Sequence, residues 1–349
     1  MFSVPPSPGA SCRECVGLTV GSHFVRPAVP TRTCEDLRLN DSHAEILRAL
    51  GRQDYVCIGA GMEGTVFAAP DQSTGDIVKI WHRRDRSQLE LLKRFYDSFA
   101  HRLADLKVPS IFEVQVVSGL SITVERRHVG SPLRGNEDPD ATTASARAVE
   151  ATGFVLEVMS LAASEEMKAL PILDETTRLW TSESWVVSLL SAIERRLKCF
   201  RSQLIKEVPD LSSVEKRTQA FVQSRADVPL SLIHGDLCPP NILVDDSLTP
   251  LAVLDFGFMS TLGDPVFDAS ITSAIFNMYG PHARSIDDQL VAAFSRRLGY
   301  DAEDMLCYRS VYSLLTSNAY DVNGRDGHYE WCVDMLNRPD VREALARFG

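Results

Sequence analysis

The sequence predicts an α+β protein of two lobes, an antiparallel β-rich N-lobe followed by a mostly helical C-lobe. Three observations carry that expectation. The chain has 349 residues, more than the roughly 100–200 of a usual single domain. Its short strand-like runs gather mainly between residues 55 and 124. Beyond about residue 148, apolar residues recur mostly at helical spacing.

The elements follow in order. Residues 1–40, rich in Pro, Ser, Gly and Thr without apolar periodicity, read as an irregular arm. Asp41-Ser42 opens a short helix that Gly51 stops. Runs at 55–58, 65–68 and 77–81, separated by Gly, Asp and Ser, form an antiparallel meander. Leu89, Leu92, Phe95, Tyr96, Phe99, Leu103 and Leu106 mark one helical face, with Ser87-Gln88-Leu89-Glu90 reading as a capping box. Runs at 111–117 and 120–124 flank Ser118-Gly119, a two-residue hairpin turn. A polar connector at 131–148 carries the chain from the N-lobe, 41–133, to the C-lobe, 134–349. Long helices reach about residue 225, a strand–loop–strand island spans 230–256, and helices complete the chain.

Charge and composition exclude some classes. Thirty-six basic against 47 acidic residues leave −11, the opposite of a nucleic-acid footprint. No apolar run approaches the ~18 residues of a membrane span. The first residues lack the basic and apolar regions of a secretory signal. Eight scattered cysteines then read as reduced thiols of a cytoplasmic protein. Cys12-Arg13-Glu14-Cys15, with His23 and Cys34 downstream, is one CxxC pair where a structural zinc site usually brings two, so it reads as incidental. Residues 1–133 balance at +1 and residues 134–349 at −12. The acidic half either attracts a cationic small molecule or is a solvated face.

Chemistry concentrates in the island. His234-Gly235-Asp236 is followed by Asn241 five residues after the Asp, and Asp255-Phe256-Gly257 comes after the apolar run 251–254. Upstream, Gly59, Gly61 and Gly64 form a GxGxxG loop between two strands, with Val66 just beyond it and Lys79 on the next strand. Phosphoryl transfer needs this set, because its catalysis is mostly positioning and electrostatics. Glycines let backbone N–H groups approach phosphate oxygens, and Lys79 supplies a point charge for the phosphates. Asn241 and Asp255 offer the oxygen ligands that Mg²⁺ takes beside a nucleotide. Asp236 would orient the acceptor hydroxyl and accept its proton. Lys79 lies among apolar neighbours, where an unpaired charge is costly. Glu90 is its expected partner and Asp97 the second choice.

Together these motifs resemble the kinase-like phosphotransferases, and within them the aminoglycoside phosphotransferase and choline kinase group. Members of that group carry His-Gly-Asp where protein kinases carry His-Arg-Asp, with Asn five residues after the Asp, as at Asp236 and Asn241. They also place Gly-Asp-Pro soon after the metal-binding Asp, as at Gly263-Asp264-Pro265. The resemblance covers about residues 52–280, with 281–349 compatible as a helical remainder. It implies a bilobal protein-kinase-like fold with ATP, or GTP, and Mg²⁺ in the cleft. The hinge against adenine should then fall in Glu125-Arg126-Arg127-His128-Val129-Gly130, with Arg126, Arg127 and His128 as contacts. His234 is expected to hold the loop by hydrogen bonds. Asp264 and Asp268 should brace that loop or cap a helix beginning near residue 269, and Cys238 should be a packing residue. The implied acceptor is a small-molecule hydroxyl on an antibiotic or amino sugar, making a resistance kinase. Helices at 150–225 and 281–335 would select it, with Asp287, Asp288, Asp321 and Asp326 meeting a cation or facing water.

Three rival readings remain. A metabolic kinase of choline, homoserine or a sugar shares every motif. A protein kinase needs a long activation segment, yet only Phe258 to Leu262 separate Asp255-Phe256-Gly257 from Gly263, and no Ala-Pro-Glu follows. A pseudokinase binding module is opposed by the intact Lys79, Asp236, Asn241 and Asp255.

Overall fold

The computed structural model describes residues 41–61, 63–70, 75–103, 106–135, 141–173 and 177–349. The Cys12/Cys15 pair with His23 and Cys34 lies outside the described residues, as do 136–140 of the connector. Helix α1 (Asp41–Ala49) precedes strands β1 (Val56–Ala60), β2 (Gly64–Ala68) and β3 (Asp76–Trp81); α2 (Arg86–Phe99) then precedes β4 (Ile111–Val117) and β5 (Leu120–Arg126). The five strands form one antiparallel sheet in the order β1-β2-β3-β5-β4. Ser118 at φ 51° and Gly119 at φ 81° give the β4–β5 hairpin the two left-handed residues that a tight turn of matching twist requires.

The sheet is covered on both faces. On one, Ile46 and Leu47 of α1 pack with Phe67, Val78, Ile80 and Ile122. On the other, Leu89, Leu92, Phe95, Tyr96 and Phe99 of α2 join a larger core that runs into the C-lobe. The α2 cap sits two residues earlier than expected. Asp85 accepts from Gln88 N at 2.9 Å, and Gln88 Oε1 accepts from Asp85 N at 2.9 Å. Gln88 is therefore the third helical residue and completes the reciprocal box, while Ser87 merely donates to Asp85.

The stretch expected as a connector from residue 131 opens with a strand that pairs with C-lobe strands. β6 (Ser131–Pro132) pairs with β8 (Ile242–Val244), which pairs in turn with β9 (Pro250–Val253). Between them come α3 (Ala146–Ser160), α4 (Trp185–Leu204), α5 (Leu211–Ser224) and β7 (Ser231–Ile233). After β9, β10 (Thr261–Gly263) returns beside β7, and α6 (Pro265–Ile275), α7 (Ala283–Leu298), α8 (Ala302–Thr316), α9 (Gly327–Asn337) and α10 (Pro339–Ala346) follow. The architecture is the bilobal α+β one expected.

Of the acidic residues expected to meet a cation or face water, Asp287 is buried inside this lobe, whereas Asp288 stays exposed in a surface ion pair. Buried Asp287 bonds Arg309 at 2.7 Å and Arg338 at 2.6 Å, and Asp288 pairs with Arg284 at 2.9 Å. A buried arginine without a carboxylate partner would be far costlier than any gain from an exposed acid. Cys57, Cys238, Cys307 and Cys332 are free thiols. No described helix is long and apolar enough to cross a membrane.

Candidate functional site

β7 delivers the chain into His234-Gly235-Asp236. Gly235 has φ +76°, and a Cβ there would lie 2.3 Å from Met259 Cβ, so the turn accepts only glycine. Asp268, in the first turn of α6, accepts the N–H groups of His234 and Gly235, both at 2.9 Å. Asp264 is the α6 N-cap, taking Val266 N at 2.9 Å on one oxygen. Its other oxygen accepts from Arg225 Nε at 2.8 Å and the Tyr308 hydroxyl at 2.7 Å. The two aspartates thus divide bracing and capping between them, and the helix starts at Pro265 rather than near residue 269.

His234 locks the two loops together. Its partners define the tautomer: Nε2–H donates to Leu254 O at 2.8 Å, and Nδ1 accepts from Asp236 N at 3.2 Å. Burial lowers its pKa to about 4, so the ring is neutral and structural, as expected. Ser260 Oγ accepts from Gly257 N at 2.8 Å and donates to His234 O at 2.7 Å. Leu254 N donates to Asn241 O at 2.8 Å, and Asn241 Nδ2 donates to Asp236 O at 3.0 Å. Asp255 holds a left-handed φ of 63°, a conformation that costs a non-glycine residue of order 1 kcal/mol and clusters at functional sites.

Across the cleft, Val66 on β2 is in register with Lys79 on β3. Lys79 Nζ lies 3.4 Å from Glu63 Oε2, 3.5 Å from Asp255 Oδ1, and 3.8 Å from the Trp81 ring centroid. Neither expected partner reaches it. Glu90 pairs with Arg86 at 3.8 Å and Asp97 with Lys93 at 3.5 Å. The reason is helical phase: Leu89, Leu92, Phe95 and Tyr96 take the inward face, and Glu90, turned about 100° from Leu89, falls on the flank.

The glycines divide as well. A Cβ at Gly64 would lie 2.4 Å from Ile80 O, whereas Gly59 and Gly61 have nothing within 4 Å of theirs. Gly64 is therefore required by sheet pairing. Gly59 and Gly61 leave open space over the loop.

Electrostatics follow from these neighbours. Burial opposes the Lys79 charge, but Asp255, Glu63 and Glu125 outweigh it and raise its pKa. Burial likewise opposes the Asp255 charge, and Lys79 reverses the balance, holding it below the ordinary value. Among the described residues no cation pairs with Asp236; burial, then Asp255, Glu63 and Asp268, push its pKa up to about 8. Cys238 is pushed up to about 12 by burial, which fits an inert packing thiol.

Arg126 and Arg127 do not join this group. The Arg126 guanidinium sits 5.5 Å from the exposed Phe112 ring, and Arg127 Nη1 donates to Ala69 O at 2.9 Å. Strand alternation sends neighbouring hinge side chains to opposite faces, and it is Glu125 that is buried. His128 stays at the hinge with Nε2 buried and unpartnered. Sequence reasoning missed Glu63, Arg84 and Glu125 as members of the site. Glu63 lies inside the glycine motif itself, and that position was the available signal.

Phe258 stacks on Tyr320 at 5.6 Å with a 6° interplanar angle, and Tyr279 is 61% exposed. Asp326, the N-cap of α9, accepts from Tyr329 N at 2.8 Å and leaves Oδ2 buried without a partner.

The residues present fit a nucleotide with Mg²⁺. Open space above Gly59 and Gly61 and a buried lysine beside an aspartate suit phosphates. Asn241 uses its amide N–H on Asp236 O, which leaves the amide oxygen and the 47% exposed Asp255 carboxylate as hard donors. Among the described residues no group of three or more His, Cys, Asp or Glu forms a metal cage. Mg²⁺ characteristically takes one or two protein oxygens and completes its shell with phosphates and water.

The solved structures similar to this chain share this fold. The macrolide 2'-phosphotransferase MphH from Brachybacterium faecium, as apoenzyme, is 19% identical with a TM-score of 0.52, over 85% of this chain and 99% of its own. The GDP and kanamycin complex of APH(2")-IIia is 15% identical, TM-score 0.55, over 89% and 99%. The gentamicin–APH(2")-IIa complex is 12% identical, TM-score 0.56, over 86% and 98%. No curated protein matches the chain. The model of the phosphotransferase enzyme family, APH, matches residues 57–307, a span that runs from β1 through the 234–241 loop into α8. With that match, the chain belongs to the phosphotransferase enzyme family and is a phosphotransferase.

Proposed function

We propose that this enzyme transfers the γ-phosphoryl group of ATP or GTP to a hydroxyl of a small molecule, and that the acceptor is an antibiotic or amino sugar. One observation carries the reading. Lys79 on β3 meets the 236–255 segment of the other lobe, with Lys79 3.5 Å from Asp255 and Asn241 3.0 Å from the Asp236 carbonyl. The N-lobe, 41–133, holds the nucleotide, and the C-lobe, 134–349, holds the acceptor. The crossing falls near Gly130, whose φ of +122° turns the chain from the β5 sheet into the β6 pairing.

Lys79 holds the phosphates, and the glycine loop closes over them. Asn241 and Asp255 hold Mg²⁺, which when bound offsets negative charge on the phosphate oxygens. Asp236 orients the acceptor hydroxyl and takes its proton as the oxygen bonds to the γ-phosphorus. The bond from that phosphorus to the leaving diphosphate oxygen breaks in the same exchange. A base whose pKa is raised to about 8 is matched to proton transfer near neutral pH. On the acceptor side, the faces of Phe258, Tyr279 and Tyr320 with the unpartnered Asp326 oxygen support a molecule that combines ring surfaces with a positive charge.

The test is nucleotide consumption with a panel of aminoglycosides, macrolides, choline, homoserine and sugars. One acceptor class should support turnover, and Asp236→Asn should lower that turnover by about 10²–10⁴-fold. Undiminished turnover in Asp236→Asn would sink the mechanism. Nucleotide binding without turnover on any acceptor would make the protein a binding module. Growth with and without the expressed gene across antibiotic classes separates a resistance kinase from a metabolic one.

A further inference from the structure

One cation of the cleft has no counterpart in the motif set. Arg84 lies in the loop between β3 and α2, and its side chain is 12% exposed, as deeply placed as Lys79 at 14%. Its Nη2 is 2.7 Å from Glu63 Oε1, while Lys79 Nζ is 3.4 Å from Glu63 Oε2. A single carboxylate of the glycine loop therefore spans the two cations, one oxygen to each. Arg84 also meets the opposite loop: a Cβ on Gly257 would lie 2.4 Å from Arg84 Nη2. The guanidinium thus sits between the glycine loop and Asp255-Phe256-Gly257, with its Cζ 5.3 Å from the Trp81 ring centroid. The Lys79 ammonium lies 3.8 Å from the same centroid.

An anion with two oxygens held between a lysine and an arginine at the mouth of a glycine loop has the shape and charge of a bound phosphate. We propose that Arg84 is a second phosphate-binding cation of the nucleotide site, and that the Glu63 carboxylate holds the place of a phosphate until nucleotide displaces it. The proposal rests on the reading that this cleft binds a nucleoside triphosphate, and it names how that site recognises the phosphates. Arginine suits the role because its planar fork matches two phosphate oxygens at once, whereas Lys79 contributes a point charge. Glu63 suits its role because its two oxygens are already divided between the two cations, so displacement leaves both cations paired with the incoming phosphate.

The two residues predict opposite signs, which separates recognition from scaffolding. Dissociation constants are measured by calorimetric titration of adenosine, ADP and ATP with wild type, Arg84→Met and Glu63→Gln. Arg84→Met should weaken ADP and ATP by about 10- to 100-fold, the size of a lost charge-assisted bond, and leave adenosine unchanged. Glu63→Gln should tighten ADP and ATP by about 2- to 5-fold by removing the internal competitor. Arg84→Met that binds ADP like wild type overturns the assignment. So does a loss for adenosine equal to the loss for ADP, because that pattern belongs to a structural role. Weaker ADP binding in Glu63→Gln overturns the place-holding half even if Arg84→Met were to misfold. A wild-type protein that binds none of these ligands, nor guanosine, GDP and GTP in the same titration, overturns the nucleotide reading itself and this assignment with it.

Discussion

Alanine substitutions in the glycine loop separate a glycine needed by the fold from glycines needed by a ligand. At Gly64, the new Cβ would lie 2.4 Å from Ile80 O, about 1 Å inside ordinary contact. The obstructing atom is backbone in the strand partnered with Gly64, whose register is Gly64 to Trp81. Relief requires the β2–β3 pairing to move, a distortion that costs about 1–3 kcal/mol as overpacking does. That is a large part of the ~5–15 kcal/mol by which a domain is stable. At Gly61 nothing lies within 4 Å of the new Cβ and φ is outside the left-handed region. Gly61→Ala should thus leave stability unchanged or raise it by about 0.4–1 kcal/mol through the unfolded chain. Its effect should fall on nucleotide, because the methyl group occupies the open space where phosphate approaches. Urea unfolding and ADP titration of both variants make the check. Gly64→Ala should shift the unfolding midpoint, and Gly61→Ala should lose ADP affinity at wild-type stability. A Gly61→Ala protein with wild-type stability and wild-type ADP binding would refute the reasoning.

Three further outcomes follow from the same geometry. With its pKa raised to about 8, Asp236 is protonated over much of the neutral range, so kcat/KM should rise with pH along a limb far above the ordinary carboxylate range. The stability sign is opposite: the raised pKa gives stability that is full below about 3.8 and lost as pH rises towards about 8, so the Tm advantage of Asp236→Asn over wild type should grow across that window. Asp268→Ala leaves the N–H groups of His234 and Gly235 without their acceptor, at about 1–3 kcal/mol each, and should lower both the unfolding midpoint and turnover; an unshifted midpoint would refute the bracing role. Glu90→Ala removes only an i,i+4 contact with Arg86, worth about 0.3–0.5 kcal/mol, and should keep wild-type turnover and nucleotide affinity; a large loss of either would return Glu90 to the site.

Much of this was legible because the informative residues carry local constraints. The alternation of 111–117 and 120–124 around Ser118-Gly119 fixes a hairpin, and both residues take left-handed φ. His234, Asp236, Asn241 and Asp255 were legible through spacing, since the first three follow β7 within one loop and Asp255 follows β9, the strand paired with β8. Lys79's partner was not, because the rotation of α2 is decided by where its cap falls, and Asp85 competes with Ser87 for that position. The directions that Arg126 and Arg127 take were not legible for a related reason: sequence shows a charged run at a strand end, but the register of β5 against β3 and β4 decides which side chain turns inward. Asp287 shows the limit most plainly. Nothing in its neighbours foretells Arg309 and Arg338, which reach it from other helices.

These corrections alter how the site is held in shape. The carboxylates that act on Lys79, namely Asp255, Glu63 and Glu125, come from the loop after β9, the glycine loop and β5. None comes from α2. That helix contributes aromatic packing, with Phe95, Tyr96 and Phe99 lying 6.1, 6.0 and 5.3 Å from the Phe256 ring. Phe256 in turn lies 4.4 Å from the His234 ring, so apolar contacts run from α2 through Phe256 to the catalytic loop, while the charges are balanced between loops. The consequence is a division of labour. On the proposed reading, nucleotide would exchange with a glycine-loop carboxylate at the charged end, and that exchange would require no ion pair with α2 to break or form. Placement of Asp236 depends instead on the backbone bonds from His234 and Gly235 to Asp268 and on the tilted ring contacts behind the loop, all of them buried.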